Sequence, residues 1–229
     1  FKKKLFIGNS ILKVNGINFQ KDNLYNYKKN YISYNGEIYN HKYLDRKFLK
    51  EKQSNDTLTL LKILTNYNSL NICKKLDGMY AFVKFNSLTK KIIFASDPQG
   101  EKKLYKYEDK NYFILSSTPK SIISFINFKL NLNYKLLNQY MHSRHFMQFP
   151  NTIYENISYL RGGTIYNLDV KNYKFTERIF DDPINWINKK NYLQNKKKSN
   201  LQIQKNFEKI FKKKIHIMLP KINFATIFS

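Results

Sequence analysis

The sequence has 229 residues, of which 42% are hydrophobic and 16% aromatic, so the chain can bury a sizeable core and is not a disordered protein. The formal net charge of +25 leaves open a catalytically dead interaction or nucleic-acid-binding module, but the lysines are spread along the whole chain and form no single basic patch, which disfavours a nucleic-acid partner. No apolar run is long enough to span a bilayer, and we predict no membrane partner.

A single cysteine, Cys73, excludes a disulfide within the chain and is typical of a reducing compartment, so we predict a cytoplasmic location. It lies in “NICKKLDGMYAF”, at the end of a predicted helix and just before a strand, which favours a structural role. The sequence begins at Phe1 and stops at Ser229 within an apolar segment. We therefore expect it to be an internal piece of a longer protein.

The first two thirds of the chain show the pattern of short strands separated by turns. In residues 79–86, Met79, Ala81, Val83 and Phe85 alternate onto one face, and the turn “SLTKK” joins them to an apolar return strand in a predicted hairpin. The predicted strands are residues 5–7, 11–14, 31–33, 79–86, 92–96 and 112–117.

Helical periodicity is less frequent. Asp56 precedes a stretch in which Leu58, Leu61 and Leu64 repeat at helical spacing, which predicts an amphipathic helix with Asp56 as its N-cap. Further helices are predicted from Pro119, at residues 132–142, and along the stripe formed by Ile203, Phe207, Ile210 and Phe211. The polar, asparagine-rich stretch from residue 181 is typical of a linker, and residues 222–228 are a predicted strand.

The stretch “YNGEIYN”, residues 34–40, allows two interpretations. Taken alone, Asn35-Gly36 is the common sequence of a type I′ hairpin turn. Alternatively, a buried amide at Asn35, the N–H of Gly36 and the carboxylate of Glu37 could together hold a substrate. The pattern of residues leaves both interpretations open.

The order of several motifs resembles the glutaminase half of glutamine-hydrolysing asparagine synthetases, a family with a class II glutamine amidotransferase domain. These motifs are “YNGEIYN”, “SNDTLTLL”, “LDGMYAFVKFN”, “ASDPQGEKKLYKY”, “FILSSTPKSI”, “FPNTIYENISYLRGG” and “FATIFS”. The resemblance implies an α+β fold of the N-terminal-nucleophile type, a four-layer αββα sandwich with two antiparallel sheets, followed by the start of an α/β synthetase domain. We predict a glutaminase-like domain at 1–175, a linker at 176–199, and the first helix and strand of the ATP-dependent domain at 200–229.

The resemblance also implies the site residues. Asn35 and Gly36 would form an oxyanion hole, because amide hydrolysis builds negative charge on the carbonyl oxygen. Glu37 and Asp56 would hold the α-amino group of glutamine, since carboxylates form strong hydrogen bonds to a cation. No metal site is predicted within the chain.

The function implied is the hydrolysis of glutamine to supply ammonia for the ATP-dependent amidation of aspartate to asparagine. Glutamine and aspartate would be substrates, ATP and Mg²⁺ would bind outside residues 1–229, and a homodimer is an open alternative. On this interpretation the protein is a carbon–nitrogen ligase, and the chain alone is expected to be inactive.

The sequence departs from the family pattern at several places. The nucleophilic N-terminal cysteine of the family has no counterpart in this sequence. Ser10 or Ile11 stands where the family has an arginine that binds the glutamine carboxylate. Ser96 stands where the family has an arginine in a loop. A second hypothesis is therefore a degenerate member, with an inactive glutaminase domain, that acts as another amide-forming ligase or as a scaffold.

Overall fold

In a computed structural model of the protein, residues 5–9, 24–126, 130–144 and 149–219 are described. The strands within these ranges are β1 Tyr25–Tyr27, β2 Asn30–Ile38, β3 Gly78–Asn86, β4 Lys91–Ser96, β5 Tyr105–Glu108, β6 Phe113–Ser116, β7 Ile157–Tyr159, β8 Thr164–Asp169 and β9 Lys174–Ile179. The helices are α1 His41–Leu44, α2 Asp56–Asn66, α3 Ser69–Cys73, α4 Pro119–Ile126, α5 Tyr134–Ser143, α6 Lys189–Lys196 and α7 Asn200–Met218. A π-helical turn, Asp45–Leu49, follows α1, and a 3₁₀ turn, Pro183–Trp186, follows β9.

The strands form two sheets in which every neighbouring pair is antiparallel. The large sheet has the order β1-β2-β3-β4-β8-β9, and the small sheet has the order β6-β5-β7. The predicted hairpin is confirmed, since β3 and β4 pair from Ala81 opposite Ser96 to Asn86 opposite Lys91. In β3, Ala81, Val83 and Phe85 share one face as predicted.

Three apolar clusters show how the layers are stacked. In the first, Leu60 and Leu64 of α2 pack on one face of the large sheet, against residues such as Phe82. The second lies between the two sheets and contains Phe94. The third packs Ile122 of α4 on the outer face of the small sheet. The layers therefore follow the order helix, sheet, sheet, helix, and the predicted four-layer α+β sandwich with two antiparallel sheets is confirmed.

The start of α2 differs from the prediction. Asn55, and not Asp56, is the N-cap: its backbone is extended, and its Oδ1 accepts the N–H of Leu58 at 2.9 Å. Asp56 is the first residue of the helix, and its carboxylate is directed to β2 instead. The predicted strand at residues 5–7 is also wrong, because residues 5–9 form no regular element. The predicted strand at 11–14 lies outside the described residues.

After the large sheet, the chain continues into helices that are exposed to solvent. Strand β9 runs past the predicted boundary at residue 175, and α6 lies within the predicted linker. The predicted helix at the C-terminal end is confirmed as α7, whose residues are all exposed, while the predicted strand at 222–228 lies outside the described residues. Within the described ranges, no helix has both the length and the apolar character needed to cross a bilayer. The division into domains stays a prediction.

Lys84 is a buried cation in β3, and we expect it to make stability depend on pH. Its Nζ donates to the carbonyl of Leu64 at 2.6 Å, in the last turn of α2, and burial lowers its pKa from 10.5 to about 8. Between these two values the unfolded state binds more protons, so the free energy of unfolding should increase with pH. Relative to Lys84→Met, the wild-type protein should gain up to about 1.4 kcal/mol per pH unit in this window.

Urea unfolding of both proteins from pH 7 to pH 10 measures this difference. The exposed residue Lys91, at the start of β4, provides the matched control, because Lys91→Met should keep the wild-type pH dependence. Parallel profiles for the wild-type protein and Lys84→Met would rule out the buried lysine as the source.

Candidate functional site

The candidate site lies along the edge of β2 that faces away from β3. Strand β1 pairs only with residues 30–32, and no other described strand pairs with this edge. The N–H of Ile38 points to this edge, where it donates to Oδ2 of Asp56 at 3.0 Å. Residues two apart on a strand direct their N–H groups to the same side, so the N–H of Gly36 faces the same edge. It is thus placed as a donor for a ligand.

Gly36 lies where the backbones of β2 and β3 touch. Its φ is 141°, and a Cβ atom there would collide with the carbonyl of Met79 and lie 2.6 Å from Cα of Tyr80, so only glycine fits. Tyr80 lies directly opposite Gly36, and its N–H and C=O both form hydrogen bonds with Asp97, the residue that follows β4. Gly36 and Tyr80 are therefore a non-hydrogen-bonded pair of the antiparallel ladder. Because β2 runs straight through Asn35 and Gly36, the hairpin-turn interpretation is wrong.

The side chains of Asn35 and Glu37 lie on the face of β2 that is turned toward the small sheet. In the register of the sheet Asn35 is opposite Ala81 and Glu37 is opposite Met79, and Ala81 packs in the cluster between the sheets. Glu37 is half-buried. Asn35 is exposed, so the buried amide that was expected at this position is not found.

Asp56 is held against this edge by two hydrogen bonds to the same oxygen. Its Oδ2 accepts the hydroxyl of Tyr34 at 2.8 Å and the N–H of Ile38 at 3.0 Å, while its Oδ1 has no hydrogen-bond partner among the described residues. Burial raises the pKa of Tyr34 well above its usual value, and the charge of Asp56 and its hydrogen bond add to this effect. Tyr34 therefore stays a donor, and it leaves one oxygen of Asp56 available to a cation.

Carboxylates gather at the end of β2, although the chain as a whole is strongly basic. Burial raises the pKa of Tyr39, and the charges of Glu37, Glu101, Asp77 and Asp97 raise it further, in that order. All four carboxylates thus lie within electrostatic reach of one hydroxyl. Glu101 and Asp77 could not be identified from the sequence, because they are distant in sequence from “YNGEIYN”.

Asp97 is the residue that shapes the loop after β4. It is 1% exposed, its Oδ1 accepts the N–H groups of Gln99 and Glu101, and its Oδ2 accepts those of Lys102 and Tyr80, at distances of 3.0 to 3.2 Å. The same carboxylate therefore fixes the loop that carries Glu101 and ties that loop to β3. Asp97 lies in “ASDPQGEKKLYKY”, one of the motifs of the resemblance, but the sequence did not reveal this structural role.

Two hydroxyl groups close to these residues are buried without a partner. Oγ of Ser96 and the hydroxyl of Tyr80 have no hydrogen-bond partner among the described residues. Ser96, which stands at the position of the loop arginine in the resemblance, is 2% exposed. It cannot supply the charge that a guanidinium would bring to a ligand.

Cys73 is unsuited to nucleophilic chemistry. It lies in the apolar cluster between α2 and the large sheet, and burial strongly raises the pKa of its thiol. This supports the structural interpretation of the residue. In the described ranges no group of three or more His, Cys, Asp or Glu side chains could hold a metal ion.

Comparisons with known proteins support the resemblance seen in the motifs. The profile of the glutamine amidotransferase domain family matches residues 7–180. The chain is 36% identical over 177 residues to glutamine-hydrolysing asparagine synthetase 2 of Methanocaldococcus jannaschii, with 73% of this chain and 33% of that protein covered. It is 33% identical over 97 residues to the glutamine-hydrolysing asparagine synthetase of Mus musculus, with 41% and 17% covered. The resemblance is confirmed, and the chain spans a third or less of these relatives.

Among solved structures, the chain is similar to glutamine phosphoribosylpyrophosphate amidotransferase from B. subtilis. The TM-score is 0.46 at 15% identity, and the match covers 66% of this chain and 29% of that one. A class II glutamine aminotransferase domain protein from Silicibacter pomeroyi gives a TM-score of 0.36 at 13% identity, covering 69% and 70% of the two chains.

Proposed function

The chain belongs to the glutamine amidotransferase domain family, and on that premise we propose that it is the glutaminase part of a glutamine-hydrolysing asparagine synthetase. Glu37 and Asp56 hold the α-amino group of glutamine. The N–H of Gly36 and the side-chain amide of Asn35 donate to the carbonyl oxygen of its side chain as that oxygen gains negative charge.

The observation that carries this proposal is the position of Asp56 relative to Gly36. Asp56 is fixed on the N–H of Ile38, two residues from Gly36 on the same strand edge. Two residues of strand correspond to about 7 Å. An extended glutamine has four carbon atoms between its α-amino nitrogen and its side-chain carbonyl oxygen, so it can reach from the carboxylate of Asp56 to the N–H of Gly36.

The residues of this chain bind and orient the substrate, and they stabilise the charge that develops on it. The thiol nucleophile of the family has no counterpart among residues 1–229, and the buried thiol of Cys73 does not replace it. We therefore assign no covalent step to the residues of this chain.

The second half of the proposed reaction belongs to a domain that α7 begins. There, ATP would activate the side-chain carboxylate of aspartate with the help of Mg²⁺, and ammonia would complete the amidation to asparagine. Aspartate, ATP and Mg²⁺ are assigned to no residue of this chain. We propose a cytoplasmic location, which the single cysteine supports, and a homodimer stays an open alternative.

A second candidate function is favoured by Ser96. Its buried, neutral hydroxyl lies where the resemblance expects a charged arginine, which fits a relative whose glutaminase half has lost activity. Such a protein would act as an amide-forming ligase that takes ammonia from another source, or as a scaffold. The sequence of the gene on both sides of residues 1–229 separates the two: an upstream cysteine start favours the first function, and its absence favours the second.

Substitution of Asp56 tests the binding site directly. Titration calorimetry with L-glutamine should show that Asp56→Asn weakens binding by about 10-fold to 100-fold, because a hydrogen bond to a charged group contributes about 1.5–3 kcal/mol. N-acetyl-L-glutamine, which lacks the ammonium group, should bind neither protein.

Tyr34→Phe is the matched control for this substitution. It removes one of the two bonds that hold Asp56 but keeps the carboxylate, so its affinity for glutamine should stay closer to wild type. Equal affinity of wild type and Asp56→Asn for glutamine would contradict the assigned role. If the wild-type chain does not bind glutamine, the second candidate function, a family member with an inactive glutaminase half, is favoured.

A further inference from the structure

Helix α7 carries a lysine in the middle of its apolar face. Ile203, Phe207, Ile210 and Ile217 follow one another at helical spacing, and Lys214 falls at the position of this stripe where an apolar residue is expected. A single polar residue in an apolar stripe usually fixes how the helix is placed against its partner. Every residue of α7 is exposed, Lys214 included, and Lys214 makes an ion pair that joins this helix to the sandwich.

That contact is with the turn that leads into β3. Nζ of Lys214 lies 2.8 Å from Oδ2 of Asp77, across 137 positions of sequence. The turn is itself clamped to the end of “YNGEIYN”: Asn40 donates to the carbonyl of Lys75 and accepts the N–H of Asp77, and Tyr39 donates its N–H to the carbonyl of Asp77. The backbone of Asp77 is therefore held in place at the end of β2, and its carboxylate extends from this fixed position to Lys214.

Asp77 lies opposite Tyr39, whose N–H its carbonyl accepts, and Glu37 is two residues from Tyr39 and therefore on the same face of the chain at the end of β2. We propose that the ion pair between Lys214 and Asp77 is an ionic latch that docks α7 beside the glutamine pocket, and that a cation entering the pocket weakens the latch. The docking stands on the contact itself, while its coupling to glutamine rests on the proposed function.

The sign of the coupling follows from the charges. The negative field of Glu37 and Asp77 attracts the ammonium group of Lys214, and the α-amino group of a bound ligand would neutralise part of that field. Coupling between two sites is reciprocal, so a docked α7 also weakens binding of the ligand. Binding of glutamine in one domain would thereby loosen the helix that starts the next one.

The latch can be measured in the whole chain with a nitroxide on Lys212→Cys, on the polar face of α7, because the buried Cys73 stays unlabelled. Broadening of the amide resonances of residues 75–79 then reports docking. Lys214→Glu should lower the ratio of docked to undocked α7 by up to about fivefold, and adding Asp77→Lys should restore it. Lys213→Glu makes the same change of charge one residue away, beside the stripe and not within it, and should leave the ratio unchanged. Equal broadening in Lys214→Glu and Lys213→Glu, or no recovery in the charge swap, would overturn the latch.

The coupling is tested in the same labelled protein. Glu37→Gln should lower docking by about twofold without any ligand, whereas Glu177→Gln, on the opposite edge strand β9, should not. L-glutamine should have the same effect as Glu37→Gln. If glutamine shifts no resonance of Glu37 or Asp56, the proposed function is wrong. The comparison of Glu37→Gln with the wild-type protein still tests whether the charge of Glu37 affects docking of α7. Unchanged docking in Glu37→Gln would overturn the coupling.

Discussion

Replacement of Asp97 with alanine should lower the free energy of unfolding by about 3–5 kcal/mol, which is a large share of the stability of a single domain. Four backbone N–H groups, those of Tyr80, Gln99, Glu101 and Lys102, lose their shared acceptor at once. Each of these N–H groups that stays buried without an acceptor lowers stability by its desolvation penalty. Equilibrium urea unfolding measures the loss.

Two further variants make this prediction specific. Asp97→Asn keeps one acceptor oxygen and should lose about half as much stability. Asp169→Ala removes a single hydrogen bond, from the N–H of Lys171 in the exposed turn between β8 and β9, and should change stability by less than about 1 kcal/mol. A loss in Asp97→Ala no larger than that in Asp169→Ala would show that the loop does not depend on the carboxylate.

Gly36→Ala should destabilise the protein by about 3 kcal/mol or more. The added methyl group would meet the backbone of β3 at Met79 and Tyr80, and alanine would also have to adopt a φ of 141°. Because the obstacle is backbone, the neighbour cannot move aside as a flexible side chain would. Thermal or urea unfolding of the purified variant gives the value, and failure to fold at 25 °C would mean a loss equal to the whole stability.

Gly8→Ala is the matched control, because a Cβ atom at Gly8 meets no other atom within 4 Å. It should change the free energy of unfolding by no more than about 0.5 kcal/mol. If Gly36→Ala is as stable as Gly8→Ala, the close approach of β2 and β3 does not exist in solution.

The layers of the fold could be predicted where the pattern of apolar residues has a clear period. Residues 79–86 alternate strictly, and they form β3 with the expected face toward the second sheet. Asn35-Gly36 shows where local preference fails: the pair favours a turn by itself, but nine consecutive residues of β2 pair with β3 and hold it in a strand. Long-range pairing therefore overrides the local preference of two residues.

The candidate site was only partly visible in the sequence for a similar reason. Asn35, Gly36 and Glu37 are adjacent in the chain, so one motif reveals them together. Asp56 was identified through a helix start, yet its contacts with Tyr34 and Ile38 depend on how α2 packs against β2. Glu101 and Asp77 come close only because the loop and the turn are folded by hydrogen bonds to Asp97 and Asn40, and spacing in the sequence does not encode those bonds.

The contact between β2 and β3 also limits how the site can change over evolution. At Gly36 and again at Gly78 the two strands meet backbone to backbone, so no side chain lies between them that could be exchanged for a larger or a smaller one. Substitution of other side chains therefore cannot adjust the distance between these strands at either glycine. A descendant that needs a wider or narrower pocket must alter the loop around Glu101 or the start of α2, and these are the parts where related proteins with different substrates should diverge first.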